Sequence, residues 1–145
     1  MPPIDLTVLR HEFHRMPELG FAEESTKARV AGILEDLGIE THIGAGVVGV
    51  HKRGTGNRVI ALRADMDALP IHETSSHDYA SQTAGVMHAC GHDGHMTMLL
   101  GAAAALAEEA ETDAALVPDK ERVGHEQHEG HEQRHPERDG REGDG

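Results

Sequence analysis

The sequence has few aromatic residues, a single cysteine and half as many basic as acidic residues. Two phenylalanines, one tyrosine and no tryptophan occur among 145 residues. Because aromatic side chains contribute much of the buried area of a normal core, we do not expect a complete core of this size. The single cysteine, Cys90, excludes an internal disulfide, so we expect a free thiol or a metal thiolate in a reducing, cytoplasmic compartment.

The charge balance and the lack of long apolar runs exclude two classes of partner. A formal net charge of −13 opposes binding to nucleic acid, whose phosphates require a basic surface, and to anionic membrane surfaces. No segment approaches the roughly 20 apolar residues that cross a bilayer. Residues 1–5 lack the layout of a signal peptide. We therefore expect a cytoplasmic protein with no nucleic-acid and no membrane partner.

Apolar residues recur at helical spacing in three segments and predict three helices. Gly38 follows the second segment, where a C-terminal helix cap usually lies. Residues 47–50 and 59–62 are short apolar runs that predict strands, the second of them buried on both faces. Residues 71–85 are polar and predict a loop. This order of elements predicts the α/β class. The helical faces are Leu6, Leu9, Phe13 and Met16; Val30, Ile33, Leu34 and Leu37; and Met96, Leu99, Leu100, Ala103 and Leu106.

A change of composition near residue 111 divides the chain into two predicted parts. From residue 118 to residue 145 only Val123 is aliphatic, and Glu, His, Arg and Gly are abundant. Such a segment cannot bury enough apolar surface to offset the entropy lost on ordering. We predict a folded part over residues 1–110 and an acidic, His-rich, disordered tail over residues 111–145.

The densest group of reactive side chains is the cysteine–histidine motif, residues 87–95, with the sequence Met-His-Ala-Cys-Gly-His-Asp-Gly-His. Cys90 and His92 offer a thiolate and an imidazole, which suit a borderline-soft divalent ion such as zinc. Gly91 between them allows a tight turn. The remaining histidines, His88 and His95, are either groups that support these ligands or polar loop residues.

The aspartate motif, residues 63–70, has the sequence Arg-Ala-Asp-Met-Asp-Ala-Leu-Pro and places two carboxylates just after the second predicted strand. In open α/β sheets, ligands bind beyond the carboxyl ends of the strands. Asp65 or Asp67 could bind a metal directly, or accept a hydrogen bond from the distal nitrogen of a ligating histidine. Alternatively, both only solvate the strand end, with Arg63 as their structural partner.

Three alternatives for Cys90 and the metal site stay open on the residues alone. A cysteine among small residues is more often a packed thiol than a ligand. Cys90 and His92 could instead form a nucleophilic pair, although no third group that orients the imidazole is identifiable. Loose metal binding by the tail is the last alternative. The tail histidines concerned are His125, His128, His131 and His135.

Three motifs, in this order, resemble the metal-dependent amidohydrolases related to aminoacylases. The N-terminal motif, residues 10–21, reads Arg-His-Glu-Phe-His-Arg-Met-Pro-Glu-Leu-Gly-Phe, and the aspartate and cysteine–histidine motifs come after it. The branch that these motifs resemble most holds hippurate hydrolases, indole-acetyl-amino-acid hydrolases and N-acetyl-diaminopimelate deacetylases. The resemblance covers about residues 4–110. It identifies this part as the N-terminal portion of a sandwich-type metallopeptidase catalytic domain.

The resemblance implies hydrolysis of the amide bond of N-acyl amino acids at a site that holds two divalent metals, zinc or manganese. The metal-binding cysteine and histidine of the family correspond to Cys90 and His92. Its aspartate beside the metals corresponds to Asp67, in a supporting role, and Asp65 also matches a motif position. Family members carry an inserted domain that often forms homodimers.

The sequence departs from the family on the C-terminal side of the third motif. The family's general base is the first of two adjacent glutamates in a later Gln-Pro-x-Glu-Glu run, which is absent here. Glu108 and Glu109 are adjacent, but they continue the third predicted helix. With the base, at least two ligands and the dimerising domain missing, we expect no catalysis by this chain alone, and a truncation or frame change near residue 111 would explain the pattern. The alternative is a non-enzymatic metal-binding or interaction fragment that uses the His-rich tail.

Overall fold

The computed structural model describes residues 4–116, with side chains for residues 4–109. The predicted boundary at residue 110 falls inside the last helix and stays a prediction, and the tail from residue 117 onwards lies outside the described residues. The three predicted helices and the first predicted strand are present, which confirms the α/β class. The elements are helices α1 (Leu6–Arg15), α2 (Glu24–Asp36) and α3 (His92–Leu116), and strands β1 (Glu40–Ile43) and β2 (Val47–Val50).

Carboxylates cap the N-termini of the first two helices. The side chain of Asp5 accepts hydrogen bonds from two backbone N–H groups in the first turn of α1, at 2.9 and 3.0 Å. Helix α2 is capped from outside by Glu18, which accepts from the backbone N–H of Thr26 at 2.8 Å. Both carboxylates also complement the partial positive charge at a helix N-terminus. At the other end of α2, Gly38 has a φ of +72°, as the predicted cap requires.

The core lies between the three helices, and the β1–β2 hairpin packs on α2. Each predicted helical face contributes to it, although the end residues Leu6, Met16 and Leu106 are exposed. No helix within residues 4–116, the 25-residue α3 included, is both long and apolar enough to cross a membrane. The buried apolar residues of the core are Leu9, Phe13, Ile33, Leu34, Ile39, Met96 and Leu100.

Strands β1 and β2 form an antiparallel hairpin in which Glu40 pairs with Val50 and Ile43 pairs with Val47. The sequence did not predict β1, because Glu-Thr-His-Ile contains a single apolar residue and no alternation that marks a strand. Its backbone hydrogen bonds to β2 define it, and three of its four residues are exposed. The apolar pattern therefore identified only the more apolar strand of the pair.

The prediction of a strand over residues 59–62 is wrong. These residues form no strand, and Val59 and Ile60 are 91% and 88% exposed. A strand buried on both faces needs a hydrogen-bonded neighbour and an apolar layer on each side. Residues 4–116 supply only the two-stranded sheet of β1 and β2. The adjoining aspartate motif is therefore positioned by other contacts than those of a sheet.

Candidate metal centre

Two isolated β-bridges bring the three motifs together. Leu69 of the aspartate motif and Met87 of the cysteine–histidine motif exchange both backbone hydrogen bonds, each 3.0 Å long. One residue earlier, the N–H of Ala68 donates to the carbonyl of Glu18, in the N-terminal motif, at 2.7 Å. Backbone hydrogen bonds thus join the three motifs, although they are separated along the chain.

Asp67 holds the ring of His92. The Nδ1 atom of His92 lies 2.8 Å from the backbone oxygen of Asp67 and 3.0 Å from its carboxylate Oδ1. Because both partners are acceptors, Nδ1 carries the proton, and in the neutral ring the lone pair lies on Nε2. The His92 side chain is 14% exposed, so the ring is largely enclosed. This geometry favours a role for Asp67 in orienting His92 as a metal ligand, rather than in binding the metal itself.

Asp65, the other carboxylate of the aspartate motif, has a different partner. Its Oδ1 accepts a hydrogen bond from Nη2 of Arg63 at 2.8 Å, and both side chains are exposed. An exposed pair of this kind contributes at most about 1 kcal/mol to stability. The alternative in which the aspartates only pair with Arg63 at the protein surface therefore describes Asp65. It does not describe Asp67, which contacts His92.

The turn at residues 90–92 sets the thiol and the imidazole on either side of one glycine. Gly91 has a φ of +87°, a left-handed conformation that L side chains rarely adopt. Its carbonyl accepts hydrogen bonds from the N–H groups of Gly94 and His95, at 3.0 and 3.2 Å, at the start of α3. Cys90 is a free and exposed thiol, which argues against the packed-thiol alternative.

Cys90 and His92 provide two donors of the types that zinc accepts, with an orienting carboxylate behind one of them. Within residues 4–109 no group of three or more His, Cys, Asp and Glu side chains is arranged to hold a metal. Structural zinc sites use four protein ligands and catalytic ones three. The described residues therefore fit one part of a metal site: an exposed thiol and an imidazole whose Nδ1 is held by Asp67, so that Nε2 is the nitrogen that could bind a metal.

An ionic cluster, which we define as Arg10, His14, Glu73 and Asp93, adjoins His92 in sequence through Asp93; its histidine and carboxylate side chains are buried, and Arg10 is exposed. The Oδ2 atom of Asp93 lies 2.8 Å from Nδ1 of His14 and accepts from Nε of Arg10 at 3.3 Å. The other ring nitrogen of His14, Nε2, lies 3.2 Å from Oε1 of Glu73. The sequence analysis missed this cluster. The available signal was the spacing of Arg10 and His14, which places them on one face of α1.

The pKa values of both carboxylates in the ionic cluster are lowered. Burial alone would raise the pKa of Asp93, but hydrogen bonds from His14 and from the backbone of α3 lower it overall. The Ser75 hydroxyl and the backbone N–H of Ser81 lower the pKa of Glu73 to about 2. Both groups are therefore ionised at neutral pH.

His88 is buried beside the ionic cluster, and neither of its ring nitrogens has a hydrogen-bond partner among the described residues. Its ring centroid lies 6.4 Å from that of His14. Burial lowers the pKa of His88 and keeps the ring neutral. The sequence left two alternatives for His88, a group that supports the metal ligands or a polar loop residue. Its burial argues against the second. His95, in contrast, is exposed, with its ring centroid 5.7 Å from that of His92.

Replacing Gly91 with alanine is expected to lower the free energy of unfolding by about 1–2 kcal/mol, because a Cβ is strained at its φ although nothing lies within 4 Å of it. Gly38→Ala is the matched control, with a similar φ and equally open surroundings. Both variants should lose similar stability in urea denaturation. Only Gly91→Ala should also weaken cobalt(II) binding, measured through the thiolate charge-transfer absorbance of Cys90. If Gly91→Ala and Gly38→Ala bind cobalt(II) with equal affinity, the turn at Gly91 does not determine how Cys90 and His92 are placed for metal binding.

Known hydrolases are similar in sequence to this chain. Residues 61–118 match the family model of peptidase family M20/M25/M40. The hippurate hydrolase of Campylobacter jejuni is 52% identical over 104 residues, which cover 70% of this chain and 27% of that protein. The N-acyl-L-amino acid amidohydrolase of Geobacillus stearothermophilus is 44% identical over 106 residues, which cover 68% of this chain and 28% of that protein. The chain thus spans less than a third of the length of either relative.

A solved structure shows the same fold. The YXEP protein of Bacillus subtilis, described as a dinuclear metal binding peptidase from the M20 family, matches with a TM-score of 0.69 at 38% identity. The match covers 72% of this chain and 30% of that one. This agreement confirms that the described residues fold like one portion of an M20 peptidase. The matched part of the chain, residues 61–118, therefore belongs to peptidase family M20/M25/M40, and the fold of the described residues agrees with this.

Proposed function

We propose that Cys90 and His92 are ligands of a divalent-metal centre that hydrolyses the amide bond of N-acyl amino acids, with Asp67 supporting His92. The observation that carries this proposal is the Asp67–His92 contact, which leaves Nε2 of the imidazole free two residues from the chain's single thiol. The names of the relatives, hippurate hydrolase and N-acyl-L-amino acid amidohydrolase, support this class of substrate.

Each of the three residues has a separate task in this proposal. Cys90 binds the metal as a thiolate, and His92 binds it as a neutral imidazole that Asp67 keeps in one tautomer. Zinc or manganese, when bound, acts as a Lewis acid towards the amide carbonyl and the attacking water. The 145 residues contain no Gln-Pro-x-Glu-Glu run to supply the family's base. We therefore expect weak metal binding by this chain without measurable hydrolysis. The dinuclear site and homodimer implied by the resemblance need further donors and a further domain.

A cobalt(II) titration tests the two ligands directly. Since Cys90 is the single cysteine, a thiolate-to-cobalt charge-transfer band can arise from no other residue. We expect the wild type to develop this band, Cys90→Ser to lose it, and His92→Ala to weaken the affinity by at least about 10-fold. His42→Ala, on the exposed strand β1, is the matched control and should bind cobalt as the wild type does.

The His-rich tail is the competing metal binder, and it lies outside the described residues. Deleting residues 118–145 separates the two sites. A charge-transfer band that survives the deletion and disappears in Cys90→Ser supports the proposed centre. Two results together would assign the metal binding to the tail and rule out the proposed ligands. Zinc binding would be lost when residues 118–145 are deleted, and it would be the same in the wild type and in the double variant Cys90→Ser with His92→Ala.

A further inference from the structure

We propose that His14 is a positioning residue of this metal centre. Held between the carboxylates of Asp93 and Glu73, it fixes the turn that carries Cys90 and His92. The inference rests on the proposed function, because the turn matters for catalysis only if these two residues bind a metal. Whether α1 and the loop around Glu73 hold the start of α3 does not depend on any ligand.

The first step is the attachment of the turn to Asp93. This residue directly follows His92, and its side chain is fully buried. Its contact with His14, at 2.8 Å, joins a carboxylate to an imidazole inside the protein. A movement of the turn that displaces His92 would break this contact or expose the carboxylate. Because an unpaired buried charge is costly, such movements are suppressed.

The second step is the immobility of His14 itself. Its ring is buried, with Asp93 at one nitrogen and Glu73 at the other. Both ring nitrogens of His14 thus lie within hydrogen-bond distance of a carboxylate oxygen, at 2.8 Å from Asp93 and 3.2 Å from Glu73. Glu73 is held in turn by the backbone N–H of Ser81, at 2.6 Å. The ring is therefore fixed from two sides by separate segments of the chain.

The third step is that the ionic cluster and Asp67 act on different parts of His92. Asp67 contacts the ring of His92 and sets its tautomer. The ionic cluster includes the next residue, Asp93, whose contact with His14 restrains the backbone that carries the ring. A metal ligand needs both its ring orientation and its backbone position fixed, because small displacements of a donor lower affinity. His14 supplies the second of these restraints.

Amide exchange and cobalt binding by the full chain test this role in His14→Gln. The N–H groups of Gly94 and His95, which donate to Gly91, are expected to exchange with solvent faster than in the wild type, measured by NMR without metal. Cobalt(II) affinity at Cys90 should fall by about 10- to 100-fold. His42→Gln is the matched control and should change neither quantity.

The outcomes separate a positioning role from a structural one. Local acceleration at Gly94 and His95, with weaker cobalt binding, supports the proposal. Equal acceleration throughout α1, α2 and α3 assigns His14 to global stability alone and overturns it, as does the absence of any change. If the wild type shows no cobalt–thiolate band, the proposed metal centre fails, and exchange alone decides whether His14 holds the turn.

A second variant keeps the proposal testable if His14→Gln does not fold. Glu73→Gln leaves the contact between His14 and Asp93 in place but removes the charge of the second carboxylate. The N–H groups of Gly94 and His95 should exchange faster in Glu73→Gln than in the wild type, with exchange elsewhere in α1, α2 and α3 unchanged. Unchanged exchange in Glu73→Gln would contradict the double restraint on His14.

Discussion

Phe13→Ala is expected to lower the free energy of unfolding by about 3–5 kcal/mol. Phe13 is 2% exposed and lies in the core cluster on α1. Removing its ring leaves a cavity between helices, which the neighbouring side chains fill only in part. Since small domains are stable by roughly 5–15 kcal/mol, the loss is a large share of the total. Urea denaturation followed by far-ultraviolet circular dichroism measures it.

Phe21→Ala provides the control, since it removes the same atoms from the surface. Phe21 is 96% exposed, and its φ of +65° is as strained for alanine as for phenylalanine. We expect this variant to change the free energy of unfolding by less than about 0.5 kcal/mol. Similar losses in the two variants would contradict the assignment of Phe13 to the core.

Periodic apolar spacing predicted the helices because it reports a local property of the chain. Leu9 and Phe13 on α1, and Met96 and Leu100 on α3, stand four residues apart and face the core. Gly38 was equally predictable, because its left-handed conformation follows from the end of α2 just before it. Such features depend on neighbours within a few residues, which the sequence displays directly.

The strands could not be predicted as well, because pairing depends on distant residues. The apolar run at residues 59–62 satisfies the pattern of a buried strand, yet no strand within residues 4–116 lies beside it. Strand β1 fails the pattern and forms because β2 is available at its edge. In both cases the deciding quantity is the presence of a hydrogen-bonding partner, not the composition of the segment.

The candidate site divides in the same way. Cys90 and His92 stood out by their chemistry, and the resemblance assigned Asp67 to support. The ionic cluster was missed because His14 meets Glu73 and Asp93 across 59 and 79 residues of sequence. The loop that contains Glu73 was correctly predicted to be irregular, but a polar composition does not show which of its side chains is buried.

Asp93→Ala is expected to lower the free energy of unfolding by about 3–5 kcal/mol, the cost typical of removing one partner of a buried ion pair. The variant leaves His14 beside Glu73 alone and removes the acidic residue from the first turn of α3. Asp78→Ala is the matched control, since Asp78 is exposed in the loop, and it should change stability by less than about 0.5 kcal/mol.

A double-mutant cycle then isolates the contact between Asp93 and His14. If the two side chains stabilise the fold through each other, Asp93→Ala combined with His14→Ala should cost less than the sum of the single variants, by roughly 0.5–3 kcal/mol. Each free energy comes from urea denaturation at neutral pH, where the lowered pKa of Asp93 keeps it ionised. Additive losses would mean that the 2.8 Å contact does not couple α1 to α3. The rigid support proposed for His92 would then have no energetic basis.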